Sequence, residues 1–387
     1  MKKALFISHV PPFPAIGGDR LRIAQSLRLL TESYEVDIVY ITRTPEAPPM
    51  RDSLPAIRNE RSFWLPDWRR KLLAARTLFN GRSLDENNYR YPAMMRYVKS
   101  ISAHYDMIFC ASPVSAQYAF AADTDTKVLD MIDSLTMNYA NAARSSKGWR
   151  RLFFSRESRK MRRYEEKCCR AFDSVAYISE VDRDYLPTGE NKHIVGNAIR
   201  PFNAPLSYHD PADRHLIFVG KMDYEPNIRA VTFFAREVIP MLRKEIPDLR
   251  FSIVGIAPTQ AVRELSSLPG VEVTGFVESL DPWFERATMV VAPMLSGSGV
   301  QNKILEALAH GCAVATTPIG LEGISQLADV LEVIPPEAAT WTQKLSRMLR
   351  DPGLLTDLAT RAPERVEQEF GLPRIRRQFR AFLEPNT

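Results

Sequence analysis

The sequence predicts an α/β protein built from two doubly wound parallel sheets in series. Three observations predict it. Short apolar runs alternate with segments of helical period along most of the chain, the pattern of parallel strands covered on both faces by helices. The alternation lapses in HIVGNAIRPFNAPLSYHDPADR, rich in Pro, Asn and Asp, and then restarts, as at a linker between domains. Finally, 387 residues with 45% hydrophobic content exceed what one core usually supports. The expected division is a first domain over 1–197, a linker over 198–213 and a second domain over 214–370, with a helix at about 371–387 packing back on the first. In such sheets the strand C-termini face the ligand crevice, so the two domains are expected to face a central cleft.

Taken in order, the first domain opens with the apolar run Ala4 to Ser8, a Pro/Gly loop, and a helix through DRLRIAQSLRLLTES with Leu21, Ala24, Leu27 or Arg28, and Leu30 at helical spacing. Strands follow at EVDIVYI, YDMIFC (105–110), KVLDMI (127–132) and DSVAYIS (173–179). Ser179, with Asp182 three residues on, reads as a helix N-cap. No element is assigned to residues 43–105. The second domain reads as strand HLIFVG (215–220), helix PNIRAVTFFAREVIPMLRKEI, and strands RFSIVG (250–255), VEVTGFV (271–277), TMVVAP (288–293) and CAVATT (312–317).

Composition narrows the function. The 51 Lys and Arg against 46 Asp and Glu are too mild an excess for a nucleic-acid binder, and no basic strip with stacking aromatics is present. Cys110, Cys168, Cys169 and Cys312 have no metal spacing, and two are adjacent, which fits a reducing cytoplasm better than a disulfide framework. MKKALFISHVPPFP has too short an apolar run for a signal peptide, and no apolar stretch is long enough to span a bilayer. A cytoplasmic protein is expected, free or peripheral on the inner face of the membrane. No metal motif is visible.

The stretch SGSGVQNKILEALAHGCAVATTPIGLEG (296–323) carries the most chemistry. Gly297 and Gly299 permit close backbone approach to a ligand, and a helix starting near Val300 would aim free N–H groups at it. That is the anatomy of an anion site. An ordinary strand–loop–helix turn would use the same small residues.

The order FVGKMDYEPN, FSIVG, VTGFV, VVAP and GSGVQNKILEALAHGCAVATTPIGLEG resembles the donor-binding half of GT-B glycosyltransferases, most closely glycosyltransferase family 4 and its relatives of bacterial surface polysaccharide synthesis. MKKALFISHVPPFPAIGGDRLRI resembles the first strand and glycine-pair loop of the same group. The resemblance implies two Rossmann-like domains and transfer of a sugar, with retention, from a nucleotide-diphosphate sugar to a hydroxyl on a glycan or lipid-linked acceptor, with no further cofactor. It places the diphosphate at Gly297, Ser298, Gly299 and Val300, the ribose hydroxyls on Glu306 and the base beside Gly275, Phe276 and Val277. Gly17 and Gly18 would approach the phosphates from the other domain. Many members carry a second glutamate where this chain has Ser298. Lys221 matches one of two cations expected after FVG, but the other is replaced by Pro226 and Asn227, which leaves Lys303 as the candidate to complete the charge on the leaving group. Glu306 sits amid Ile304, Leu305, Ala307, Leu308 and Ala309, where a charge needs a partner. Solvated side chains at Lys303 and Glu306 are the alternative.

The catalytic group is less defined. YDMIFCASPVS offers Cys110 and Ser112, and LDMIDSLTMNY offers Asp130 and Asp133; Asp133, the candidate to contact the acceptor hydroxyl, also reads as a helix N-cap, as does Asp19. His9 reads as structural. Other functions compatible with the same pattern are a nucleotide-sugar 2-epimerase and a non-catalytic sugar-nucleotide-binding subunit of a polysaccharide assembly complex. Residues 144–170 hold eleven Lys or Arg against three Glu around Trp149, Leu152, Phe153 and Phe154, and WRRKLLAARTLF (68–79) is a second such piece. Basic helices with apolar faces bind anionic lipid surfaces, although a solvated helix packed on its own domain has the same composition.

Overall fold

Every apolar run named above forms a strand in the computed structural model, which describes residues 1–15, 18–46, 49–199, 214–297 and 299–384. Gly17, Ser298 and the linker residues 200–213 lie outside the described residues. The chain divides into two units, Met1–Asn197 with Ile375–Thr387, and Ala198–Arg374.

In the first unit the strands are β1 (Lys3–Ser8), β2 (Glu35–Thr42), β3 (Ile57–Trp64), β4 (Met107–Ala111), β5 (Thr126–Ile132), β6 (Ser174–Tyr177) and β7 (Lys192–Ile194), all parallel, in the order β3-β2-β1-β4-β5-β6-β7. The central strands β1 and β4 are apolar runs because both faces are covered. On one face Phe6 stacks on Phe109 at 5.1 Å, and Phe379 and Phe382 of the helix Leu372–Leu383 close over Phe109 at 5.8 and 6.0 Å. Ile375, Phe379, Phe382 and Leu383 are buried; at about 1.5–3 kcal/mol for each large apolar side chain, this seam fixes the terminal helix.

The first helix, Gly18–Thr31, corrects two expectations. Leu21 faces outward, and its neighbour Arg22 is buried instead, together with Ile23, Ala24, Leu27 and Leu30. The reason is Asp130 at the end of β5: Arg22 Nε donates to its carboxylate at 2.7 Å, Ser26 Oγ at 2.8 Å, and Arg22 Nη1 reaches Gly196 O at 2.6 Å. A paired guanidinium can be buried where a leucine was expected. Asp19 lies within the first turn of this helix, not at its cap.

The second unit holds β8 (His215–Val219), β9 (Arg250–Val254), β10 (Val271–Gly275), β11 (Met289–Ala292), β12 (Val314–Thr316) and β13 (Glu332–Val333), parallel in the order β10-β9-β8-β11-β12-β13. The helix expected over 226–246 is interrupted: Glu225–Phe233 and Ile239–Glu245 flank a π turn at Phe234–Val238. Pro240 removes an amide donor there, so the regular ladder cannot run through. At the ends of β8 and β9, a Cβ on Gly255 would stand 1.8 Å from Gly220 O, and Gly255 has φ +146. Only glycine lets these strand ends converge, and the convergence sets the position of Lys221.

Candidate functional site

The stretch after β11 folds as a loop through Gly297 and Gly299, then a helix at Asn302–Ala309, which starts two residues later than the expected Val300. Gln301 precedes the helix without a side-chain cap, and its carbonyl accepts from Ile304 N at 2.9 Å. Gly299 has φ +73 and open space where a Cβ would stand. The second glycine turn buttresses the first: a Cβ on Gly323 would meet Val300 Cγ2 at 3.2 Å, and Thr317 Oγ1 donates to Met294 O at 2.7 Å while accepting from Gly320 N at 3.1 Å. The paired glycine turns of the sequence are thus two layers of one loop.

Lys303 and Glu306 sit one turn apart and share a helix face. Lys303 is not a free surface lysine. Its Nζ donates to Asn227 Oδ1 at 2.5 Å, lies 4.5 Å from the centre of the Phe218 ring and 3.8 Å from Met294 Sδ. Although the residue keeps partial exposure, this enclosure of the ammonium lowers its pKa to about 7, with Glu306 acting in the opposite direction. Glu306 is half-buried, and burial raises its pKa against the pull of His310 and Lys303. Its carboxylate makes no hydrogen bond among the described residues; instead its backbone carbonyl accepts from His310 Nδ1 at 2.7 Å, and His310 Nε2 meets Asp281 Oδ1 at 3.1 Å. A cation and a carboxylate, both desolvated and neither closing an ion pair on the other, stand ready for an anion and for vicinal hydroxyls respectively.

Asn227, read from sequence only as a replacement for a lysine, connects these parts. Its Nδ2 donates to Lys221 O at 3.0 Å while its Oδ1 holds Lys303. No local pattern links Asn227 to a lysine 76 positions away. The Lys221 side chain is exposed and pairs with Asp223 at 3.2 Å. Gly275 has φ +74 with free space at its Cβ position, Phe276 is 69% exposed, and Val277 packs on the core edge. The turn after β10 therefore offers backbone groups and one open aromatic ring.

In the first unit the candidates separate. Gly18 is the first residue of its helix. Cys110 is buried at 0% exposure, and burial raises its thiol pKa. Ser112, with φ +83, bonds the buried His9 at 3.1 Å. His9 also meets the Tyr89 ring edge-on, and burial lowers its pKa to about 4, so it is neutral and structural. Asp130 is committed to Arg22. Asp133 does not cap a helix: Ser134 does, its Oγ accepting from Met137 N at 3.3 Å. Asp133 accepts instead from Asn138 Nδ2 at 2.7 Å, and burial, then the neighbouring Asp182, raise its pKa to about 6. Asp182 accepts from Ser134 N at 3.0 Å, and its own amide is capped by Ser179, as the sequence predicts. Among the described residues no group of His, Cys, Asp and Glu could hold a metal ion, and no helix is long and apolar enough to cross a membrane.

Residues 213–351 match the family model described as glycosyl transferases group 1. An uncharacterised 44.6 kDa protein in the cps region of Klebsiella pneumoniae is 24% identical over 343 residues, 84% of either chain. Among solved structures, sucrose-phosphate synthase of Thermosynechococcus elongatus superposes with a TM-score of 0.71 at 17% identity over 97% of both chains. HepE of Anabaena, solved with UDP, superposes with a TM-score of 0.66 at 14% identity over 99% of this chain and 100% of its own. At such identities the structural likenesses speak for the fold.

Proposed function

We propose, on the premise that this chain is a group 1 glycosyltransferase of GT-B fold, that it moves a sugar from a nucleotide-diphosphate donor to an acceptor hydroxyl with retention at the anomeric carbon. The observation that carries the reading is the linked set Lys221, Asn227 and Lys303 beside the uncapped helix Asn302–Ala309 and the unpartnered Glu306 carboxylate. The diphosphate lies at Gly297, Gly299, Val300 and the first amides of the helix. Lys303 and Lys221 neutralise its charge as it leaves, and the ribose hydroxyls bond Glu306. The base stacks at Gly275, Phe276 and Val277. Catalysis then consists mainly of positioning and of stabilising the leaving group with fixed dipoles and cations. Asp133, with its pKa raised to about 6, contacts the acceptor hydroxyl.

The acceptor is a glycan or a lipid-linked saccharide of a surface polysaccharide, and the protein docks on an anionic bilayer to reach it. The helix Gly148–Ala171 supports the docking: Trp149 and Leu152 are 75% and 74% exposed beside Arg150 and Arg151. Arg156 Nη2 bonds Leu78 O at 3.4 Å, which joins this helix to the second basic piece with its exposed Trp68, Leu72 and Phe79.

The test is a thermal-shift panel of nucleoside diphosphates and their sugars, followed by Glu306→Ala. Binding to the folded state alone raises stability by RT ln(1 + [L]/Kd), roughly 2.7 kcal/mol at a hundredfold excess over Kd. The expected result is a preference for one base, weakened in Glu306→Ala by about 1.5–3 kcal/mol, and turnover that persists in EDTA. Unchanged nucleotide affinity in that variant removes the site assignment, and binding without turnover on any acceptor favours a non-catalytic subunit.

A further inference from the structure

The first unit contains a cavity of about 350 Å³ that the reading above does not use. It is bounded by the stretch Gly81–Arg90, the segment Gln117–Ala121 and the helix Gly148–Ala171, and five cations line it: Arg82, Arg90, Lys160, Arg163 and Lys167. One carboxylate, Glu86, faces them, and it already accepts from Ser83 N at 2.8 Å as part of a capping box. Lys160 is likewise engaged, with Glu157 at 3.1 Å and Thr77 O at 2.7 Å, and Lys167 lies 4.0 Å from the centre of the Phe120 ring. By contrast, the guanidinium groups of Arg82, Arg90 and Arg163 form no ion pair and no side-chain hydrogen bond among the described residues. Burial and the adjacent Arg82 lower the pKa of Arg90 against the opposing pull of Glu86, the mark of cations that outnumber their counter-charge.

A second polar feature defines the ligand further. Gln117 is 4% exposed; its Nε2 donates to Glu86 O at 3.2 Å and to Val114 O at 2.9 Å, while its Oε1 has no partner. A buried carbonyl oxygen without a donor is costly, on the order of 1–3 kcal/mol, and an acceptor-only anion cannot satisfy it. A ligand with both a phosphate and a hydroxyl can: three planar forks suit phosphate oxygens, and a hydroxyl can donate to Gln117 Oε1. We propose that this cavity is a binding site for a phosphorylated sugar or polyol, either free or as the head group of a lipid. The exposed Leu78 and Phe79 stand just ahead of the lining residues Gly81 and Arg82 in the chain, so a lipid-borne head group is one of the two sources to be distinguished.

The proposal is tested by calorimetry with glucose 1-phosphate and by co-sedimentation with phosphatidylcholine vesicles containing phosphatidylinositol. Three proteins are compared: the wild type, Arg82→Gln/Arg163→Gln, and Lys303→Ala. Both substituted arginines are exposed, and their loss relieves repulsion, so the double variant should melt no lower than the wild type; Arg90→Gln is a second, independent disruption. Binding of glucose 1-phosphate that weakens at least tenfold in the double variant and persists in Lys303→Ala supports the site with a free ligand. Retention on phosphatidylinositol vesicles beyond that on phosphatidylglycerol vesicles of equal charge, with the excess lost in the double variant, supports it with a lipid ligand. The proposal is overturned if neither probe binds, if binding is unchanged in the arginine variants, or if it is lost only in Lys303→Ala, which would assign it to the donor site in the other unit.

Discussion

Donor binding should weaken as pH rises through neutrality because of Lys303. Its ammonium is enclosed by Phe218, Asn227 and Met294, and its pKa is lowered to about 7. In the free protein it is therefore about three-quarters protonated at pH 6.5 and about 3% protonated at pH 8.5. A bound diphosphate restores the proton, because an adjacent negative charge favours the charged form. The association constant for a nucleoside diphosphate such as UDP should then fall by about 25-fold between these values, or about 1.9 kcal/mol. The terminal phosphate titrates near pH 6, below this window. Calorimetry at several pH values measures the slope. Lys303→Arg, always charged, should flatten it. Lys303→Gln should also flatten it and should lose about 1.5–3 kcal/mol at pH 6.5. The stability linkage has the opposite sign: a lysine depressed from 10.5 to about 7 destabilises the fold fully below pH 7 and progressively less as pH rises toward 10.5. Unfolding at Lys303 therefore cannot imitate the loss of affinity. A wild-type affinity that is flat from pH 6.5 to 8.5, or an equal slope in Lys303→Arg, refutes the reasoning.

Glu165 is fully buried, and desolvation raises its pKa to about 7 despite bonds from Thr136 N and Ser134 Oγ at 3.2 Å. The folded state therefore binds its proton more tightly than the unfolded chain, and stability falls as pH rises from about 4.5 to 7; Glu165→Gln should raise the unfolding free energy at pH 8 by up to about 3 kcal/mol, seen as a higher melting temperature, and by little near pH 4.5. Thermal melts with no difference at pH 8 would contradict this. Asp130→Ala leaves the buried Arg22 without its counter-charge and should destabilise the fold by about 3–5 kcal/mol in urea titrations, whereas Asp133→Asn should keep the fold and reduce turnover; the reverse outcome would exchange their roles. In flotation with phosphatidylglycerol vesicles, the protein should rise at low salt, detach at high salt as exposed charges are screened, and rise less when Trp149 and Leu152 are both replaced by Ala. Protein left at the bottom at low salt ends the docking proposal.

The sequence by itself determined the parallel strands that are covered on both faces, because double burial makes them apolar runs whatever their partners. It also exposed the glycine loop and Glu306, since backbone freedom and a charge amid apolar neighbours are local properties. Three of the four edge strands escaped it. The strand β3, read IRNERSFW, is charged and half exposed, and β7 and β13 span three and two residues, so none shows a period or an apolar run. Only the tertiary structure decided which polar groups are structural and which are available. Asp130 and Asp133 look alike in LDMIDSL, yet one is held by Arg22 from a helix 108 positions away and the other is not. Lys303 looks like a surface lysine until Asn227, Phe218 and Met294 enclose its ammonium. Desolvation and pairing depend on atoms brought together across the sheet, and no window of sequence contains both partners.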